Sequence, residues 1–197
     1  MIYLIGGAPR CGKTIFSKRL AVKNHISWIS TDLLGTVVKL YLSWDEQSAK
    51  FPNAGLCTAS PRQLLAAELR QGKTLWPGIE RFIHDLVRWR HDYVIEGVHL
   101  FPQYVARLKR TSVWKEVEVI YLIKHDLEKI VEGFKKTDEQ TDWLLQCIKT
   151  ENDLLRAGKM VQIKSLYIER QARKYGFDVI NTEKNFEETI LKLLDRF

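Results

Sequence analysis

The chain of 197 residues carries 31 Lys and Arg against 24 Asp and Glu, a formal net charge of +7 at pH 7. With 45% hydrophobic and 28% charged residues, the composition excludes a disordered or collagen-like chain and can supply a buried core. The length predicts a single domain over residues 1–197. No apolar run approaches the roughly 18 residues of a membrane span, so we expect no membrane contact.

Cysteine usage adds an expectation about the compartment. The three cysteines, Cys11, Cys57 and Cys147, are far apart in the sequence and form no Cys-x-x-Cys pair. This spacing argues against a disulfide framework or a zinc site, and free thiols fit a reducing cytoplasm. The positive charge admits nucleic acid, an anionic membrane surface or phosphorylated small molecules as partners, and it does not choose among them.

Strands and helices are predicted to alternate along the chain. Short apolar, β-prone runs predict five strands, at residues 2–5, 27–30, 93–96, 117–123 and 177–180. Helical patterns separate them: an insertion over residues 33–91 with turn signals at Ser60-Pro61 and Trp76-Pro77, a stretch over 126–175, and a closing amphipathic helix over 185–197. Such alternation predicts a three-layer α/β/α fold around a five-stranded parallel sheet.

The first loop carries the strongest motif. The pattern Gly-x4-Gly-Lys-Ser/Thr of a phosphate-binding P-loop (Walker A) is matched between a strand and a helix by Gly7-Ala8-Pro9-Arg10-Cys11-Gly12-Lys13-Thr14. Glycines let the backbone curl its N–H groups around an anion, and the helix N-terminus adds the positive end of its dipole. Lys13 is predicted to contact the β- and γ-phosphates, and the Thr14 hydroxyl to bind Mg²⁺. Arg10 could face the phosphates, the acceptor or solvent.

Two classes of P-loop protein fit poorly. An Asp-x-x-Gly run of the kind found in switch GTPases occurs at Asp32–Gly35, yet it directly follows the second strand, and the chain has no Asn-Lys-x-Asp guanine-recognition sequence. Nor does a strand end in the four apolar residues plus Asp that are typical of motor ATPases, since the third strand ends in Glu96. These absences argue against a GTPase switch or a motor.

The chain resembles the small P-loop kinases, a family that includes shikimate-type, gluconate-type, nucleoside and polynucleotide 5′-kinases, chloramphenicol phosphotransferase and zeta-type toxins. Its stretch Glu96-Gly97-Val98-His99-Leu100-Phe101-Pro102 looks like the Glu-Gly-Val-His-Leu-x-Pro segment of 2-phosphoglycerate kinases. A second segment, Ala172-Arg173-Lys174-Tyr175-Gly176, is similar to their Ala-Arg-x-x-Gly approach to the last strand. The resemblance implies the fold and phosphotransfer chemistry with ATP and Mg²⁺, and it does not name the acceptor.

The resemblance assigns roles to two carboxylates. In several of these kinases an Asp just after the second strand receives the proton of the acceptor hydroxyl, and Asp32 stands at that position. The alternative is that Asp32 is a helix N-cap residue. Glu96, at the end of a strand beside the P-loop, could bind Mg²⁺ through a water, bind the acceptor, or pair with a neighbouring cation.

Further site residues follow from the predicted layout. On the acceptor side we predict His99 and Arg62, with a satisfied loop histidine and a solvated helix face as the alternatives. The family closes a lid of cations over the transferring phosphoryl group, for which the candidates are Lys135, Lys136, Arg156 and Lys159. Taken singly, each of them is more typical of a solvated surface residue than of a phosphate ligand. Asn181, after the fifth strand, is predicted to lie near the adenine.

These residues predict an ATP-dependent phosphotransferase acting on a small alcohol, with Lys13 and Asp32 as catalytic residues. The positive charge leaves open a polynucleotide 5′-kinase, although the basic residues are scattered and no aromatic-interleaved basic stripe is present. A nucleotide-binding regulator would keep the P-loop and need no base. The sequence does not indicate the oligomeric state.

Overall fold

Five strands alternate with helices along the chain. A computed structural model describes residues 1–52, 59–136 and 148–197. The strands are β1 (Ile2–Gly7), β2 (Ser27–Ser30), β3 (Tyr93–Gly97), β4 (Val117–Ile123) and β5 (Asp178–Asn181). The helices are α1 (Lys13–Lys23), α2 (Thr31–Leu40), α3 (Trp44–Lys50), α4 (Pro61–Arg88), α5 (Pro102–Val105), α6 (Leu127–Lys135), α7 (Glu151–Lys174) and α8 (Phe186–Leu194). Two 3₁₀ segments, Ala106–Arg110 and Ser112–Glu116, precede β4.

The sheet has the order β2-β3-β1-β4-β5, and all of its pairings are parallel. Its register aligns Gly6 with Gly97 and Ser30 with Glu96. All five strands therefore end at one edge of the sheet, which we call the carboxyl edge. Ligands of open α/β sheets bind outside this edge, so the fold predicts the place of the site.

Helices cover the sheet on both faces. Successive residues of β1 belong to different apolar clusters, with Leu4 in one and Ile5 in the other, as the period of a strand requires. One cluster joins the sheet to α4 and the 3₁₀ segments, and the other joins it to α1, α6 and α8. This arrangement confirms the predicted three-layer α/β/α fold.

One predicted turn is wrong. Trp76-Pro77 does not form a turn, because helix α4 runs without interruption through Pro77. Proline removes one helical hydrogen bond, and its ring crowds the preceding turn. Trp76, Ile79 and Ile83 are each 0–1% exposed, and this burial on both sides of Pro77 keeps the helix continuous. The turn signal at Ser60-Pro61 is confirmed, since Ser60 caps α4 and Pro61 is its first residue.

The helical insertion over 33–91 and the helical stretch over 126–175 are present as α2 to α4 and as α6 and α7. Cys57 and Cys147 lie outside the described residues. Over the described ranges, no helix is both long enough and apolar enough to cross a lipid bilayer.

Candidate active site

The loop between β1 and α1 has the backbone of an anion cradle. Positive φ angles occur at Gly7, the last residue of β1, at 142°, and within the loop at Arg10, at 62°, and Gly12, at 87°. Glycine is required at both ends, because a Cβ on Gly7 would lie 2.1 Å from the Leu122 carbonyl oxygen and one on Gly12 would lie 2.4 Å from the Phe186 ring. The loop opens directly onto the N-terminus of α1, where unpaired N–H groups and the helix dipole favour a phosphate.

Lys13 is buried although it begins α1. Its Nζ donates a hydrogen bond to the Ala8 carbonyl oxygen at 2.8 Å, so the ammonium group lies against the loop itself. An ammonium group in a site shielded from water interacts more strongly with an anion than it would in bulk solvent. The position fits the predicted contact with the phosphates.

The loop is also held from the side of β5. The Thr182 hydroxyl donates to the Cys11 carbonyl oxygen at 2.9 Å. The thiol of Cys11 points inward, 4.0 Å from the Ser165 hydroxyl on α7, and burial raises the pKa of this thiol. Cys11 therefore supports the loop as a packed core side chain, and its backbone is the part available to a phosphate. No short motif signals these supports, because the contacts join distant parts of the sequence.

Glu96 and Thr14 meet at the carboxyl edge. The Thr14 hydroxyl donates to Glu96 Oε1 at 3.0 Å, and Glu96 is only 4% exposed. Burial raises the pKa of Glu96, while the nearby Lys13 charge and the Thr14 hydrogen bond oppose that rise. Hydroxyl and carboxylate oxygens are donors that Mg²⁺ accepts together with phosphate oxygens and water, so the pair fits the predicted metal role. Among the described residues, no group of three or more His, Cys, Asp or Glu forms a metal site.

Asp32 lies at the start of α2 with its side chain 68% exposed. The cap of this helix is Ser30, whose hydroxyl accepts from the Asp32 N–H at 3.0 Å, so the Asp32 carboxylate is not needed as an N-cap. Its Oδ1 is 3.6 Å from His99 Nδ1. The charges of Asp32 and Lys13 both act on the pKa of Glu96, which indicates that the three groups share one site. A carboxylate there is open to an incoming hydroxyl.

His99 is enclosed by protein. Its Nδ1 lies 3.0 Å from the Thr31 hydroxyl and its Nε2 lies 3.0 Å from Gln71 Oε1 on α4. Since the amide oxygen of Gln71 only accepts, Nε2 carries the proton and Nδ1 accepts from Thr31. Burial lowers the pKa of His99 to about 4, against the opposing effect of Asp32. The ring is neutral at physiological pH, and its role as an acceptor contact stays a prediction.

The buried neutral ring of His99 makes stability depend on pH. The pKa falls from 6.5 in the unfolded chain to about 4 in the folded one, so the contribution is complete above pH 6.5 and is lost as the pH falls towards 4. Between about pH 7 and about pH 5 this single group should cost about 2 kcal/mol. Urea unfolding of the wild type and of His99→Gln at both pH values checks this, and an equal loss in both proteins would contradict it.

The remaining predicted residues lie in the P-loop, on α4, α6 and α7, and at the end of β5. The Arg10 guanidinium lies 5.4 Å from the ring centroid of Phe134 on α6, which links the P-loop to the predicted lid region. The lid candidates lie at the end of α6 and on α7, where Lys136 is near Glu132 and Arg156 contacts Asp153 at 2.6 Å. Lys135, Lys159, Arg62 and Asn181 are exposed. The lid, acceptor and adenine roles of these residues stay predictions.

Sequence reasoning missed several residues at this centre. Gln71 contacts His99, Phe186 lies over Gly12, and a buried pair joins Glu68 to Lys164. Each belongs to an element that packs on the site from a distant part of the chain. Charged residues within apolar helical patterns, as at Glu68 and Lys164, were the available signal.

A five-stranded parallel sheet with a phosphate-binding loop after its first strand defines a P-loop protein. No protein-family model matches the chain. The chain is 25% identical, over an aligned length of 215 residues, to a 2-phosphoglycerate kinase of Pyrococcus horikoshii. The match covers 99% of the chain and 63% of that protein. The chain thus spans less than two thirds of this relative's length.

Solved structures give the same architecture. The chain is similar to shikimate kinase from Bacteroides thetaiotaomicron, with a TM-score of 0.59 and 15% identity, covering 100% of the chain and 97% of that protein. It is also similar to a gluconokinase from Sinorhizobium meliloti 1021, with a TM-score of 0.51 and 13% identity, covering 99% and 91%. The comparisons confirm the predicted fold and the resemblance to the small P-loop kinase family.

Proposed function

We propose that the chain is an ATP-dependent phosphotransferase that transfers the γ-phosphoryl group of MgATP to a hydroxyl of a small anionic metabolite. The observation that carries this proposal is the common location of Lys13, Thr14, Glu96 and Asp32 at the carboxyl edge. They supply the groups that phosphoryl transfer needs, which are a cation that binds phosphate, oxygen donors for the metal and a carboxylate facing solvent. Little covalent chemistry is required of the protein itself.

Each group has a defined task in the proposed reaction. The loop amides and Lys13 orient the phosphates, and Thr14 and Glu96 would hold Mg²⁺, which would supply positive charge against the negative charge that develops during transfer. Asp32 orients the acceptor hydroxyl and takes its proton as the new O–P bond forms, while the bond from the γ-phosphorus to the β–γ bridging oxygen breaks and ADP leaves. Lys135, Lys136, Arg156 and Lys159 are the proposed cations of a lid that excludes water from the reacting groups. Asn181 is the proposed neighbour of the adenine.

The acceptor is proposed to be anionic, on the strength of the relative named 2-phosphoglycerate kinase and of basic residues on the insertion. Arg62 at the start of α4 is exposed and could contact a carboxylate or phosphate, and His99 is the other proposed acceptor contact. A phosphorylated hydroxy acid such as 2-phosphoglycerate combines a hydroxyl with two anionic groups. It is therefore the first acceptor to test.

Thermal unfolding with ligands tests the proposal. A non-hydrolysable ATP analogue with Mg²⁺ should raise the unfolding midpoint, and an acceptor that binds beside it should raise the midpoint further, since ligands that bind only the folded state stabilise it by mass action. Compounds that pass are then assayed for ADP production. A response to single-stranded oligonucleotide that falls steeply with salt would favour the polynucleotide 5′-kinase instead. Absence of any nucleotide effect would contradict both.

A further inference from the structure

A fully buried ion pair lies beside the proposed site. Lys164 Nζ on α7 is 2.7 Å from Glu68 Oε2 on α4, and the two side chains are 0% and 3% exposed. Removing two charges from water is costly, and apolar residues of similar volume often serve stability as well or better. A contribution to folding stability is therefore a weak explanation for the presence of this ion pair.

Lys164 also contacts the loop that follows β3. Its Nζ donates to the Val98 carbonyl oxygen at 3.2 Å and lies 5.1 Å from the ring centroid of Phe101. Just before Val98, Gly97 has a φ of 152°, and a Cβ there would lie 1.8 Å from the Thr31 hydroxyl oxygen. The backbone between Glu96 and His99 is thus confined by α2 on one side and Lys164 on the other.

The insertion helix α4 reaches this loop at two points. Gln71 lies one helical turn after Glu68 and accepts from His99, and Glu68 reaches the loop through Lys164. Charges also connect the pair to the reacting groups. Burial lowers the pKa of Lys164. The negative charges of Glu68 and Asp32 oppose that shift, and the positive charge of Lys13 adds to it. The ammonium group of Lys164 therefore lies within the electrostatic reach of Lys13 and Asp32.

We propose that Glu68 and Lys164 are positioning residues for Glu96. By holding the Val98 carbonyl, the pair fixes the end of β3 so that Glu96 and Thr14 present their oxygens together to the magnesium of a bound nucleotide. The inference rests on the proposed function, and it assigns a task to two residues that do not touch the nucleotide. Groups that orient metal ligands commonly change metal affinity by about 10–100-fold when removed.

The test uses the double variant E68L/K164M, which replaces both charges by apolar side chains of similar size. Its unfolding midpoint should stay within a few degrees of wild type or rise. Calorimetric titration gives the Kd of ATP with EDTA and with excess MgCl₂. We expect the EDTA value to be unchanged and the gain in affinity from Mg²⁺ to fall by about 10-fold or more. A purely structural pair would leave that gain intact.

Two controls separate positioning from general damage. R81M/D85N removes an exposed ion pair of the same helix and should keep the full Mg²⁺ gain. Ile79→Val shortens a buried side chain of α4 about three helical turns after Glu68, and it should also keep the Mg²⁺ gain. If E68L/K164M does not fold, Glu68→Gln and Glu68→Leu are compared, because glutamine keeps an acceptor for Lys164. The gain should survive in the first and be lost in the second.

The outcomes distinguish the inference from the function. A folded double variant with the wild-type Mg²⁺ gain overturns the positioning role alone, as do equal gains in Glu68→Gln and Glu68→Leu. A wild type that binds ATP without any Mg²⁺ gain overturns the roles of Thr14 and Glu96 in metal binding. A wild type that binds no nucleotide overturns the proposed function, and the inference with it.

Discussion

A Lys13→Met variant is expected to lose phosphoryl transfer by about 10²–10³-fold or more while it keeps its fold. Methionine preserves most of the buried stem and removes only the ammonium group, whose hydrogen bond to the Ala8 carbonyl is replaced by an apolar contact. The charge that develops on the transferring phosphoryl oxygens would then lack the ammonium group that the P-loop itself supplies. Initial rates of ADP formation with the acceptor found by thermal unfolding measure the loss.

The matched control for Lys13→Met is Lys23→Met, at the far end of the same helix. Lys23 donates to the Leu194 carbonyl oxygen and is exposed, so this variant makes the same charge change away from the P-loop. It should retain transfer, and both variants should show wild-type circular dichroism. Wild-type rates in a folded Lys13→Met protein would show that this ammonium group does not act on the phosphates.

Most of the sheet was predictable from sequence because buried parallel strands appear as short apolar runs. The bounds predicted for β2 and β4 coincide with the observed Ser27–Ser30 and Val117–Ile123, and β5 is shifted by one residue. The wrong prediction of a turn at Trp76-Pro77 arose because the local sequence pattern and the tertiary fold disagree there. A local signal for a turn was overridden by the burial of side chains on both sides of it, and that burial depends on the tertiary fold.

The site was predictable where a motif fixes it locally. The P-loop positions, and the proximity of Glu96 to it, followed from residue types placed at strand ends. The contacts that hold those groups did not follow, because Thr182 and Cys11 are 171 residues apart and Glu68 meets Lys164 only after α4 and α7 pack together. A single sequence carries no pairing information for such contacts. The same reason hid the enclosure of His99 between Thr31 and Gln71.

An Asp32→Asn variant is expected to lower kcat by about 10²–10⁴-fold and to leave the affinity for MgADP unchanged. Asparagine has the same shape, so the exposed start of α2 and its Ser30 cap should persist. The amide cannot accept the proton of an acceptor hydroxyl, and it removes the negative charge beside His99. Steady-state kinetics give kcat and KM for the acceptor, and calorimetry gives the Kd for MgADP.

Asp45→Asn is the matched control, because Asp45 is another exposed carboxylate in the first turn of a helix, α3. It should leave kcat unchanged, so that a loss specific to Asp32 cannot come from the helix dipole alone. Full transfer by Asp32→Asn would show that the base assignment is wrong. A different set of results would favour the nucleotide-binding regulator. In that case the wild type transfers phosphate to no acceptor, Asp32→Asn binds MgATP as tightly as the wild type, and the variant retains every other function of the chain. A carboxylate with no chemical task could then be exchanged for an amide without consequence.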